Sequence, residues 1–416
     1  MTFAALFTVF GRIGCLSFGG PAAQIALMHR ELVEERPWLT EDQFLRALSF
    51  CMLLPGPEAM QLATYAGWRL KGIPGGLLAG GLFVLPGAMV IAALAAAYVA
   101  YGDVPAVEAA FLGIKAAVVV IVLQAIQRLA SKALKTRDAV ALAVLAFIAL
   151  FAFDLPFPLV VALAAAWGAL RASGERGSAP PRFDAARLAL VLLVGGALWA
   201  APVALAALAG QELLVQLGVF FSKLAVVTFG GAYAVLAYMT QEVVSGYGWL
   251  TTEQMIDALG LAETTPGPLI LVTQFVGQLT GALQGGPGLA TLAALMTLWV
   301  TFVPCFIWIF AGAPLIDWLE HQPRISGALS AVTAAVVGVI ANLSVWFAAH
   351  VLFAEVGLLS AGPLSVIAPD PRSFDPAALA LVLLAAALLL WWRWPLLAVI
   401  GSLALAGLAV GATGVA

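Results

Sequence analysis

Two cations pose the chemical question. Arg12 and Lys223 each lie inside a long apolar run, 211 positions apart. A cation in the middle of a membrane span costs roughly 2.5–3.5 kcal/mol even on the lenient insertion scale, so two at related places call for a compensating anion. Each stands seven residues before the first glycine of a short string, Ser17-Phe18-Gly19-Gly20 and Thr228-Phe229-Gly230-Gly231. Seven residues is about two helical turns, which puts cation and glycine on one face. A hydroxyl residue and two glycines, followed by Pro21 in the first copy, suit a bend that exposes backbone N–H groups, and such groups bind anions. The chemistry on offer is recognition of an oxyanion, divalent if both cations serve it. Plainer readings stand beside this one: glycines that let helices approach closely, and cations that snorkel to an interface or pair with a carboxylate.

A second repeated feature follows. Pro55-Gly56-Pro57 and Pro266-Gly267-Pro268 keep the same 211-residue offset, as do Met28 and Met239, Glu31 and Glu242, and Trp38 and Trp249. Two prolines remove two N–H donors and exclude a helical ladder. In lipid such a break is tolerated only where protein or a water-filled cavity lines it. Both tripeptides therefore read as hinge and site wall, with a tight extracellular turn as the alternative. Glu58 abuts the first break and Glu263 lies three residues before the second. These intramembrane carboxylates are candidates for proton coupling, or for salt bridges to Arg12 or Lys223. Glu31 and Glu242 fall in polar connectors and read as helix-end residues, with Trp38 and Trp249 as interfacial anchors. Lys115 is a third buried cation, without a counterpart in the other copy, and is equally readable as structural.

The elements that must position these residues follow from composition. Of 416 residues, 63% are hydrophobic and only 10% charged, against about 25% charged in a soluble domain; mean hydropathy is +1.05. A chain this apolar must close its backbone hydrogen bonds inside helices, and its runs are apolar on every side, which disfavours a β-barrel. Spans need about 20 apolar residues. Candidates lie at about 3–27, 44–66, 74–100, 107–130, 138–153, 156–171, 187–209, 212–240, 254–280, 287–313, 325–352, 376–392 and 395–413, with a loop at 353–375. The expected fold is an all-α polytopic membrane protein of about thirteen transmembrane helices, broken at the Pro-Gly-Pro strings. A first repeat covers 1–170, a basic linker with a linking span covers 171–209, and a second repeat covers 210–416. Arg128, Lys132, Lys135 and Arg137, and then Arg171, Arg176, Arg182 and Arg187, assign two segments to the cytoplasm. The odd linking span then inverts the second repeat, an arrangement that places a transporter's site at the midplane. Arg30, Arg36 and Arg46 conflict with an outside position for the first connector, so the Pro-Gly-Pro segments are alternatively re-entrant hairpins.

Several function classes lack support. No phosphate-binding G-x-x-x-x-G-K-[ST] string, H-E-x-x-H or G-x-S-x-G occurs, so ATP hydrolysis and enzymatic activity are not expected. His29, His321 and His350 are scattered, and Cys15, Cys51 and Cys305 have no metal-ligand spacing; no metal, cofactor or disulfide is expected. The net charge of −3, without a basic tract, gives no sign of nucleic acid. The N-terminus lacks a cleavable-signal pattern, so the first apolar run reads as a true span. A homodimer stays open.

Phe-Gly-Gly-Pro, Trp-Leu-Thr, Leu-Pro-Gly-Pro and Phe83-Val84-Leu85-Pro86 together resemble the chromate ion transporter family. The second-half series Phe-Gly-Gly-Ala-Tyr, Trp-Leu-Thr, Thr-Pro-Gly-Pro and Phe302-Val303-Pro304 is similarly typical of it, so the likeness is to the long, two-domain type. The resemblance implies a bacterial or archaeal multi-pass protein of the cytoplasmic (inner) membrane that exports chromate using the proton gradient. Sulfate, also a tetrahedral dianion, and an uncoupled oxyanion channel are the alternatives. Ala232 replaces Pro21 in the second copy, so the halves need not contribute equally.

Overall fold

The computed structural model describes residues 2–102, 104–172, 184–229, 232–316 and 322–412. Gly230, Gly231, Arg176, Arg182 and His321 lie outside the described residues. The protein is an all-α membrane protein. Among the described residues, five helices have the length and hydropathy to cross a membrane: Glu58–Tyr101, Pro105–Ala133, Ala185–Leu208, Leu269–Gly312 and Pro323–Leu352.

In chain order the helices are α1 (Phe3–Leu16), α2 (Gly20–His29), α3 (Glu41–Leu53), α4 (Glu58–Tyr101), α5 (Pro105–Ala133), α6 (Arg137–Phe151), α7 (Phe157–Arg171) and α8 (Ala185–Leu208). The second copy continues with α9 (Glu212–Val227), α10 (Ala232–Gln241), α11 (Thr252–Thr264), α12 (Val272–Gly312), α13 (Pro323–Leu352), α14 (Pro376–Ala386) and α15 (Leu396–Ala412). Single π-helical turns extend α2 over Arg30–Glu34 and α10 over Glu242–Gly246.

The repeat seen in the sequence is a repeat in the backbone. α1 and α9 end at Leu16 and Val227, and α3 and α11 begin and end at positions 211 apart. Thr40 and Thr251 open these last two helices with the same reciprocal capping pattern, completed by Gln43 and Gln254.

Two expectations change. The apolar run at 3–27 is not one helix: Gly19 (φ +85°) and Gly20 (φ +79°) divide it into α1 and α2, which at 1.5 Å per residue are about 21 and 15 Å long. The interruptions expected between 66 and 74 and between 280 and 287 are present, so α4 and α12 are not single rods. Lys71-Gly72 and Gly285-Gly286 leave helical geometry, each with a glycine at positive φ. Beyond each break the chain doubles back, since Gly67 meets Gly75 and Ala79, and Gly277 meets Thr297. Glycine at these positions is what lets the two arms touch. The 353–375 loop contains a hairpin, β1 (Val356–Ala361) and β2 (Leu364–Pro369), turning at Gly362.

The chain divides into two compact units, and each draws on both sequence copies. The first comprises 1–96, 171–232 and 265–327; the second comprises 97–170, 233–264 and 328–416. In the first unit α9 packs on α8 and α12, and Trp199 and Trp299 donate to the carbonyls of Val300 and Leu198. In the second, α5 packs on α14 and α15 through Gly113 and Gly407, each of which lies against opposing backbone. Its apolar cluster centres on Ala116, Ala117, Val120, Leu381, Val399 and Leu403.

Candidate functional site

Ser17 and Thr228, which open the two strings, meet the two Pro-Gly-Pro breaks inside the first unit. Ser17 and Thr228 end their helices in the same way: each hydroxyl donates back to the carbonyl one turn earlier, Ile13 and Leu224, at 2.6 Å. The following N–H groups, Phe18 and Phe229, donate to Leu16 and Val227. The helix therefore stops with its Ser or Thr buried and its carbonyl turned out of the ladder.

Those carbonyls are taken by the opposite copy. Gly56 N–H donates to Thr228 O at 2.8 Å, and Gly267 N–H donates to Ser17 O at 2.9 Å. The two bonds exchange under the 211-residue offset, so the contact is reciprocal in the manner of a two-fold interface. Both glycines have positive φ, +117° and +88°, which aims the N–H at its acceptor and which an L side chain resists.

Further side chains fix the breaks. Gln24 is buried and donates from Nε2 to both Ser17 O (3.2 Å) and Gly267 O (2.7 Å). Gln61, also buried, donates to Pro55 O at 2.7 Å, while its Oε1 has no hydrogen-bond partner among the described residues. Neither glutamine was singled out from the sequence. An amide in an apolar run carries no distinctive signal there, and the residues that replace them in the second copy are Val235 and Val272. Cys305 approaches Gly56 from α12, and Gly87 of α4 lies against Pro266 O.

The electrostatics differ from a lone-cation picture. Glu31 is fully buried. Its Oε2 takes Arg36 Nη1 at 2.5 Å and its Oε1 faces Arg12 Nε at 3.5 Å. Arg12 thus pairs with a carboxylate, one of the alternatives open at the sequence level, while its side chain is half exposed. Arg36 also reaches Glu35, which contacts Arg30. Three arginines against two carboxylates leave one net positive charge. Lys223 lies on an exposed face of α9 and is engaged in an interaction. Glu58 opens α4 half-buried, and Glu263 is buried on α11. Trp38 and Trp249 form the same backbone bond, to Leu32 O and Val243 O, but Trp249 is buried and stacked on Tyr247 instead of anchoring at a surface.

What the arrangement can do follows from its donors and acceptors. The carbonyls of Ser17, Thr228, Pro55 and Gly267 already accept hydrogen bonds. The first turn of α2 has no side-chain cap, with Gly19 in the left-handed conformation and Pro21 behind it. A helix N-terminus with donors to spare favours an anion over a cation; the net-positive network around Glu31 lies at the other end of α2, in and beyond its π-helical extension. Among the described residues no cluster of His, Cys, Asp or Glu could hold a metal ion.

The chromate transporter family model matches residues 4–169 and 215–409. The chain is 34% identical over 344 residues to the chromate transport protein of Pseudomonas aeruginosa, covering 82% of this chain and 80% of that protein. It is 33% identical over 347 residues to the chromate transport protein of Cupriavidus metallidurans, covering 82% and 81%. An uncharacterized transporter of Methanocaldococcus jannaschii is 26% identical over 351 residues, covering 82% and 84%. No solved structure matches significantly.

Proposed function

The chain belongs to the chromate transporter family, and from that premise we propose that it exports chromate from the cytoplasm as a secondary transporter of the inner membrane, driven by the proton motive force. Members of this family are transporters, not enzymes. The observation that carries the reading is the reciprocal bonding of Gly56 to Thr228 and Gly267 to Ser17. It ties two broken helices to two others at symmetry-related places, the construction by which transporters build a central site from half-helix ends.

In this reading the uncapped N-terminus of α2, with Ser17, Phe18, Gly19 and Gly20, takes the oxyanion in one copy. Thr228, Phe229, Gly230 and Gly231 serve in the other. Arg12 and Lys223 supply charge, and a dianion competes with Glu31 for Arg12. Pro55-Gly56-Pro57 and Pro266-Gly267-Pro268 wall the site and act as hinges. Glu58 and Glu263 carry the coupled protons. Six spans, a linking span at 185–208 and six inverted spans complete the topology; the reciprocal bonds support a two-fold relation between the repeats. Outward movement of a dianion is already favoured by an inside-negative potential, roughly 2.3 kcal/mol per charge per 100 mV, and proton antiport adds to it.

The test is transport of radiolabelled chromate by purified protein in liposomes under an imposed pH gradient. Saturable, gradient-driven movement is expected, lost on neutralising both Arg12 and Lys223 in protein that stays folded. Normal saturable transport by that double variant would remove the anion-site assignment. Competition with sulfate, molybdate and phosphate identifies the preferred oxyanion, and conductance without proton movement would mean a channel.

A further inference from the structure

The second compact unit contains a buried charge cluster that the oxyanion site does not use. Asp257 of α11 is nearly enclosed, its side chain 8% exposed. Its Oδ2 accepts a hydrogen bond from Tyr98 Oη at 2.8 Å, and its Oδ1 lies 3.2 Å from Lys115 Nζ of α5. Beyond Lys115, Oδ1 has no other partner among the described residues, so it keeps spare acceptor capacity. Removing both charges from water is costly, and a well-packed apolar pair is often as stable or more so, so an enclosed Lys–Asp pair is weak evidence for a purely structural role. Inside a membrane unit the default reading of such a group is functional.

Position sharpens this. In the first copy the place of Asp257 is held by Arg46, which pairs with Asp42 at an exposed surface, so the cluster is not a duplicated packing device. α11 packs on α5 and leads directly into Pro266-Gly267-Pro268. The groups around Asp257 are few. Lys115 faces it from α5 and Tyr98 from the end of α4, while Glu253 stands one turn earlier on its own helix. The π-helical turn packed on α11 brings Glu242, and α15 has no ionisable residue.

We propose that Asp257, held between Lys115 and Tyr98, is a proton-exchange site of the transport cycle. A proton from water is taken up on Oδ1 and later returned to water. With Asp257 ionised, the pair clamps α11 to α5. With Asp257 neutral, Lys115 loses its counter-charge and the clamp opens, freeing the helix that runs into the second break. Asp257 then works in series with Glu58 and Glu263, so that losing it interrupts coupling. This inference rests on the transport reading above.

The experiment uses full-length protein in liposomes carrying an internal pH dye, with chromate as the probe. D257N is expected to keep chromate movement driven by membrane potential but to lose the accompanying proton movement and the response to a pH gradient. Undiminished chromate-linked proton movement in D257N would overturn the proposal. So would recovery of coupling in K115M/D257N, because a pair needed only for packing is replaceable by neutral residues. Absence of any chromate movement in the unaltered protein would refute the transport reading instead. A second readout needs no transport: pH-difference infrared spectra of the protein in lipid should show a protonated-carboxyl band that disappears in D257N and shifts in Y98F. A spectrum with no band assignable to Asp257 at any pH that leaves the protein folded would overturn the assignment on its own.

Discussion

Gly56 and Gly267 occupy equivalent positions, yet an added methyl group should harm them unequally. At Gly56 the backbone sits at φ +117°, where an L side chain is strained by about 1–3 kcal/mol. The new Cβ would also lie 2.9 Å from Cys305 Sγ and 3.0 Å from Gln61 Nε2. Gln61 cannot yield freely, because that same nitrogen holds Pro55 O at 2.7 Å. Overpacking of this kind costs about a further 1–3 kcal/mol. Gly56→Ala is therefore expected to destabilise by about 2–6 kcal/mol in all, from these two terms. At Gly267 (φ +88°) the strain is similar, but the nearest contact is Leu271 Cδ1 at 3.1 Å, the end of a flexible side chain. Gly267→Ala should carry little beyond the backbone term, about 1–3 kcal/mol. The assay is thermal stability in detergent, followed by the monodisperse fraction on size exclusion, for both single variants, Cys305→Ala and the G56A/C305A double variant. Cys305→Ala removes the sulfur in the way, so the double variant should recover part of the loss, a coupling of about 0.5–3 kcal/mol as expected for residues in contact. Equal harm at the two glycines, or strictly additive G56A and C305A, would refute the argument.

Other expectations concern charge. Glu31→Gln removes the buried partner of Arg12 and Arg36, but both arginines reach solvent and Arg36 keeps Glu35, so the loss of thermal stability should be about 1.5–3 kcal/mol; Arg12→Gln should cost less, since Arg12 is half exposed and Arg36 stays paired. Lys223→Gln should weaken chromate transport mainly through KM, while leaving melting temperature within a few degrees of the unaltered protein. His29 places Nε2 2.7 Å from Glu41 and Nδ1 3.1 Å from Glu34. Its pKa is raised, chiefly by the hydrogen bond to Glu41. A raised folded-state pKa means a stabilising contribution fully present below the ordinary histidine range and lost as pH rises through the folded value. Melting curves across that range should show the decline, and His29→Gln should flatten it.

Much of the helix map was legible because its signals are local. The runs at 107–130, 187–209 and 325–352 became helices within a few residues of those bounds, since long apolar stretches have one way to satisfy their backbone in lipid, and Pro202 within α8 does not end that helix. The constant offset linking Gly19 to Gly230 and Pro55 to Pro266 exposed the duplicated core for the same reason. What escaped depends on contacts between distant residues. Asp257 sits in an apolar stretch, and its importance appears only when Lys115 and Tyr98, from other helices, are beside it. Gln24 bonds two carbonyls that only the fold brings together. The reversal at Lys71-Gly72 had a readable cue, a glycine two residues before Pro74, and fell between two spans as expected; that the arms pack through Gly67 and Gly75 was not readable. In sequence the hairpin around Gly362 reads as loop, because its short apolar strands flank the turn pair Gly-Pro and show little polar alternation.

The reciprocal glycine bonds also set an order of assembly during synthesis. Gly267 N–H finds its acceptor, Ser17 O, already made. Gly56 N–H must wait for Thr228, about 170 residues later in the chain, which at 5–20 residues per second is roughly ten to thirty seconds. Throughout that interval the first copy is in the bilayer with an unmet donor at its break. The nascent first half is therefore an incomplete object, held open for a strand of chain the ribosome has not yet delivered, and a chain terminated before Thr228 should be a substrate for membrane quality control instead of a half-sized transporter.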